Sequence, residues 1–178
     1  DINNMTAIGS YNKPNYNISC DEFYNYIVTQ KEVFNFKIKT ATINDLERIK
    51  YYKLKTIAEY AKNLSEEEMT KIDNYICESI PTLINEYKNI IYNKKIIGSI
   101  LIRKIDDGLL LDEIFIEKEY RNKGFGSSII KNYVLDSDDN IYLWVYKDNI
   151  KAFNLYKKLG FKIKEETDSR YYMEFQKI

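Results

Sequence analysis

Apolar residues recur along this chain with two different periods, and the switches between them mark out its elements. Phe36 to Lys39 alternates as a strand, after which Leu46, Ile49, Leu54, Ile57 and Ala58 recur at helical spacing behind a polar start near Asn44. A second helix is expected to run from Ser65, where SEEE offers an N-cap and first-turn acids, to just before Pro81. Glu86 to Tyr92 and Lys95 to Arg103 read as a hairpin turning at Asn93 and Lys94, and Asp106, Asp107 and Gly108 turn the chain into a strand from Leu109 to Ile116. Gly124 and Gly126 lead into the helical segment SSIIKNYVL. A polar break, DSDDN, precedes the strand IYLWV, and Asp148 is placed to cap a helix from Asn149 to Leu159 that Gly160 ends. Phe161 to Glu166 and Tyr171 to Gln176 form a last antiparallel pair.

This order of elements describes an α/β fold with a mixed, mostly antiparallel sheet flanked by helices. The domain is taken as residues 36–178, with residues 1–35 as an extension. Residues 1–18 show no sustained period and read as a mobile or loosely packed arm, whereas Phe23, Ile27 and Phe34 give Cys20 to Phe34 an apolar stripe. That short helix is expected to dock on the core or on a partner subunit, which leaves a homodimer open.

Composition narrows the function. Among 178 residues, 27 basic side chains balance 27 acidic ones, so there is no basic excess to favour nucleic acid or an anionic membrane. No apolar run approaches the ~20 residues that cross a bilayer. Cys20 and Cys77 have neither metal-ligand spacing nor the density of a disulfide framework, and no secretory signal is visible ahead of or after Met5; a cytoplasmic location is expected. The absence of histidine excludes a Ser-His-Asp or Cys-His nucleophile, histidine-bound zinc and an imidazole base. Any proton transfer then falls to carboxylates, tyrosine, lysine, cysteine, the backbone or water, with no metal.

The turn IEKEYRNKGFG carries the first candidate chemistry. A helix that begins at glycines offers unpaired backbone N–H groups and the positive end of its dipole, and so suits a phosphate. The candidate pyrophosphate cradle is Arg121, Asn122, Lys123, Gly124, Phe125, Gly126 and Ser127, with Ser128 close by; an ordinary helix cap explains the same glycines equally well. Asn149 and Tyr156 lie seven residues apart, about two helical turns, and so share a face, although packing alone also accounts for a tyrosine there.

Two patterns occur together. Ile116, Arg121, Gly124 and Gly126 fit V/I-x-x-x-x-R/Q-x-x-G-x-G/A, and Asn149, Ala152, Leu155, Tyr156, Gly160 and Phe161 fit N-x-x-A-x-x-L-Y-x-x-x-G-F. In combination they resemble the GNAT family of N-acetyltransferases, from about Phe36 to the C-terminus. The resemblance implies a GNAT fold with a splayed parallel strand pair, acetyl-CoA as cosubstrate, and transfer to a primary amine, of a small molecule or a peptide, by direct attack in a ternary complex. It implies that the backbone of Ile114, Phe115 and Ile116 pairs with the pantetheine arm, that Asn149 contacts the cosubstrate, and that Tyr156 protonates the departing thiolate. The N–H of Phe115 or Ile116 would polarise the acetyl carbonyl. Glu113 is the candidate base or water-positioning group, equally readable as a solvated or salt-bridged strand residue, with Asp112 expected on the opposite face. Trp144 stands where some protein N-terminal acetyltransferases carry a glutamate. The acceptor pocket is expected between the 43–81 helices and the turn from Glu165 to Arg170. A noncatalytic acyl-CoA-binding regulatory module is the competing reading.

Overall fold

The structure, a computed structural model, describes residues 35–177. The arm and helix expected between residues 1 and 34 lie outside the described residues. Seven strands form one sheet in the order β1-β2-β3-β4-β5-β7-β6: β1 (Lys37–Thr40), β2 (Lys88–Tyr92), β3 (Lys95–Ile105), β4 (Gly108–Ile116), β5 (Ile141–Tyr146), β6 (Lys162–Glu166) and β7 (Arg170–Phe175). Every neighbouring pair is antiparallel except β4 with β5. Helices α1 (Leu46–Tyr60), α2 (Glu66–Asn74) and α3 (Ile80–Leu83) connect β1 to β2, α4 (Phe125–Ile129) follows β4, and α5 (Ile150–Lys158) follows β5.

Adjacent residues of β3 enter different cores, as alternation requires. Ile100 packs with Leu111, Ile129, Leu143 and Met173 on the α4 and α5 face, and Leu101 packs with Ile49, Ile80 and Tyr87 beneath α1 and α3. Asn93 and Lys94 both take positive φ, 48° and 64°, the conformation a two-residue hairpin needs to match strand twist. Gly98 lets β3 meet β4 closely, since a Cβ there would lie 2.0 Å from the Phe115 carbonyl oxygen. Gly98→Ala is therefore expected to cost about 1–3 kcal/mol of unfolding free energy, read from the shift in a urea melt.

Local chemistry departs from the expected boundaries at three places. Thr42 and Asp45 form a reciprocal cap around the turn Ile43–Asp45, so the cap precedes α1 by a full turn and does not involve Asn44. The second helix does not stop before Pro81. It passes through a π-helical turn, Tyr75–Ser79, and Pro81 falls directly after it in the first turn of α3. Asp148 does not cap α5: Asn149 does so, accepting from the Ala152 N–H at 3.2 Å, while Asp148 pairs with Lys62 at 2.8 Å.

Candidate active site

The parallel pair β4 and β5 is joined over Leu109 to Leu111 and Ile141 to Leu143, and beyond those residues the strands part. A bulge in β4 decides what faces the gap. On β3, Leu101 aligns with Glu113 and the next residue, Ile102, aligns with Leu111, which leaves Asp112 as the extra residue. Below the bulge, Leu109 directs its N–H toward β5, to the Asn140 carbonyl at 2.9 Å. Above it the parity is reversed. Glu117 donates to the Ile97 carbonyl at 2.8 Å, and hydrogen-bonded pairs alternate along an antiparallel ladder, so Phe115 bonds across to Ser99 on β3. Ile114 and Ile116 consequently turn their backbone groups to the open side. The Phe115 N–H belongs to the ladder and is not available to an acyl oxygen, which corrects the choice left open above in favour of Ile116 or Ile114.

The bulge also corrects the placement of Asp112. Both it and Glu113 line a cleft of about 340 Å³ that opens at the splayed strands. Asp112 lies 3.3 Å from Arg103, and Glu113 accepts from Lys53 Nζ of α1 at 2.6 Å. The Tyr75 and Tyr87 hydroxyls, 3.2 Å apart, sit beside Glu113; burial first, and then its negative charge, push both phenols up. Glu113 is thus a salt-bridged, hydrogen-bonded group, which both the catalytic and the plain strand-residue readings allow.

Tyr156 reaches the cleft from α5. It is buried against Phe161 with ring centroids 5.6 Å apart, and among the described residues none hydrogen-bonds its hydroxyl. Burial pushes the phenol up, so it stays protonated through neutral pH. Asn149 lines the same cleft; its Oδ1 is used in the helix cap, which leaves its amide N–H groups for a ligand.

The glycine turn stands at the end of β4. Asn122 and Gly124 have φ of 58° and 90°, and the first helical bond runs from Ser128 N–H to the Gly124 carbonyl at 2.9 Å. The N–H groups of Phe125, Gly126 and Ser127 therefore have no intrahelical acceptor. The helix continues as a π-helical turn, Ile130–Val134. Phe125 is buried edge-on to Tyr92 and Tyr120 and fixes the turn to the sheet. At Gly126 a Cβ would make contacts of 3.4 Å and 3.6 Å, so packing alone tolerates alanine there. Lys123 is exposed at the tip.

Arg121 sits differently from its assignment to the pyrophosphate. Its Nε donates to the Ile116 carbonyl at 2.7 Å, its Nη1 donates to both Glu59 oxygens at 3.0 and 2.9 Å, and its guanidinium lies 5.1 Å from the Phe115 ring centre. Phe115 in turn stacks on Tyr52 at 4.2 Å. These contacts clamp the open end of β4 to α1. Burial tends to raise the Glu59 carboxyl, but hydrogen bonds from Arg121 and Tyr60 outweigh it and hold the group below its ordinary range. A depressed carboxyl stabilises the fold above its unfolded pKa and loses that contribution as pH falls through the lowered value. Between about pH 6 and pH 3, wild-type protein should therefore lose more stability than Glu59→Gln, measured by urea melts at both pH values.

Tyr52, Lys53 and Tyr75 of the 43–81 helices and Arg170 at the end of the expected turn all line the cleft, but the sequence reading assigns none of them a role of its own. Tyr52, Lys53 and Thr56 share one face of α1, a signal visible only once that face is known to lie over β4.

A splayed parallel pair, a bulged strand with free backbone groups and a glycine-started helix at its end form one connected site. A sequence model of the Acetyltransferase (GNAT) family matches residues 45–161. The chain belongs to this family. It is 36% identical over 63 residues to a probable spermine N(1)-acetyltransferase of Bacillus subtilis subsp. natto; the match covers 33% of this chain and 41% of that relative. The chain thus spans less than half the length of the curated relative it matches. The PaiA N-acetyltransferase from Thermoplasma acidophilum, solved in complex with coenzyme A, superposes with a TM-score of 0.62 at 24% identity, covering 81% of this chain and 99% of that one. A GNAT-family acetyltransferase from Streptococcus agalactiae gives 0.62 at 16% identity, covering 80% and 96%. At these identities the structures establish the GNAT fold.

Among the described residues no helix is long and apolar enough to cross a membrane, and no cluster of three potential metal-ligating side chains occurs.

Proposed function

We propose that the protein is an acetyl-CoA-dependent N-acetyltransferase acting on a primary amine. One observation carries this reading: the edge of β4 at Ile114, left without a strand partner where β4 and β5 part, lines the same cleft as the protonated Tyr156. Acetyl-CoA would supply the acetyl group as a thioester, which an amine converts to an amide as the N–C bond forms, the C–S bond breaks and free thiol is released.

The chain's own groups divide the work. The Ile114 N–H and carbonyl and the Ile116 N–H would pair with the pantetheine amides as an added strand would, Ile116 N–H or Ile114 N–H also serving the acetyl oxygen. The N–H groups of Gly126 and Ser127 at the start of α4, with Asn122, Lys123 and Phe125 beside them, would hold the pyrophosphate. Asn149 would donate its amide to the cosubstrate. Tyr156 would give its proton to the sulfur that leaves and regain one from the attacking nitrogen. Glu113, held by Lys53, would orient the amine or a water that takes the ammonium proton. Arg121 acts as a positioning residue in this account, holding the Ile116 carbonyl and the α1 contact.

Thiol release from acetyl-CoA, followed across amino acids, small amines, polyamines and N-terminal peptides, tests the reading. Amine-dependent release with an acetylated product is expected. Acetyl-CoA binding without release for any amine would instead support a noncatalytic acyl-CoA-binding module.

A further inference from the structure

The charges along the cleft do not suit a polycation. Its two acids are already matched, Glu113 by Lys53 at 2.6 Å and Asp112 by Arg103 at 3.3 Å. The acidic run from Glu66 to Glu68 lies outside the cleft: Glu68 closes the cap on Ser65, Glu67 takes Lys71 at 2.6 Å, and none of the three is a lining residue. The remaining charged lining groups are Lys71 and Arg170, both positive.

Arg170 is the better placed of the two. It begins β7 at the mouth of the cleft, its Nη2 donates to the Tyr146 hydroxyl at 2.7 Å, and its guanidinium lies 4.3 Å from the centre of the Tyr146 ring. Those contacts orient the guanidinium plane and leave further N–H donors for a planar anion. Glu68 feels the charge of Arg170, but among the described residues no carboxylate pairs with it. The Lys71–Glu67 pair is largely solvent-exposed and worth little, so Lys71 can turn to a ligand. Trp144, 40% exposed and stacked on Tyr172 at 4.7 Å, adds an apolar wall.

Building on the acetyltransferase reading, we propose that the acceptor is an amine that also bears a carboxylate, bound by Arg170 with support from Lys71, and not a polyamine. The amine end then reaches toward Glu113 while the carboxylate stays at the mouth. A polyamine would instead bring its extra positive charges beside Arg170 and Lys71, with no unpaired acid to receive them.

The test uses matched acceptors that differ by one carboxylate: an amino acid and its decarboxylated amine, and a dipeptide and its C-terminal amide, with spermidine as the polycation. Thiol release is followed for wild type and Arg170→Glu, with acetyl-CoA affinity as the check on folding. The carboxylated member of each pair should show a kcat/KM at least about 10-fold higher, and Arg170→Glu should bring that ratio close to one while acetyl-CoA affinity is kept. Equal rates within the pairs, faster turnover of spermidine, or an unchanged ratio in Arg170→Glu would overturn the inference and leave the acetyltransferase reading intact. Absence of thiol release with every amine, despite acetyl-CoA binding, would overturn that reading and this inference with it.

Discussion

Tyr156→Phe should lower turnover by roughly 10²- to 10⁴-fold, the usual range for a general acid, and leave acetyl-CoA affinity within about twofold of wild type. The size of the effect follows from what is removed. The phenol ring packs on Phe161 and phenylalanine preserves that packing, while the hydroxyl has no partner among the described residues and faces the cleft. The fold should therefore lose almost nothing. Because burial raises the phenol, wild-type activity should show no loss from this group up to about pH 10. Turnover must be measured where chemistry limits the rate, by single-turnover thiol release. Wild-type rates in the phenylalanine variant would remove Tyr156 from the chemistry.

Gly124→Val should weaken acetyl-CoA binding by at least roughly 10- to 100-fold, the worth of one charge-assisted hydrogen bond at about 1.5–3 kcal/mol. Gly124 has a φ of 90°, which a β-branched residue resists, and its carbonyl accepts the first bond of α4. Valine would re-aim the N–H groups of Gly126 and Ser127 and set methyl groups where phosphate oxygens belong. Titration with S-acetylpantetheine, which lacks the pyrophosphate, separates this local effect from a general one. Its affinity should be unchanged in the variant, and an equal loss for both ligands would mean that the turn does not hold the phosphate.

The elements were largely legible because their signals are local. Alternation in the strands, the SEEE start of α2, the Asn93 and Lys94 turn and the Gly160 stop each act within a few residues, and all occur where the sequence placed them. The glycine turn and the helix expected from Asn149 to Leu159 were readable for the same reason.

What escaped depends on pairing between distant segments. The bulge at Asp112 carries no glycine or proline to announce it, and exists because β3 and β4 register differently on either side. That single extra residue moved Asp112 into the cleft and took the Phe115 N–H out of it. The contacts of Arg121 with Glu59, sixty-two positions away, and with the Ile116 carbonyl could not be read from its neighbours in sequence. Lys53 and Arg170 lie in segments expected as pocket walls, but their individual roles were not legible because ordinary surface cations look the same until a cleft is assembled around them. The passage of the helix through Pro81 likewise depends on a π-helical turn that no propensity scale marks.

The central claim is that acetyl leaves acetyl-CoA for an amine in this cleft, and the most direct measurement mixes purified protein, acetyl-CoA and one amine acceptor while recording thiol release and the acceptor's mass together. The account predicts one acetyl group gained by the acceptor for each thiol released, with both signals falling in parallel in Tyr156→Phe. Tight acetyl-CoA binding with neither signal, for any acceptor in the panel, would contradict it.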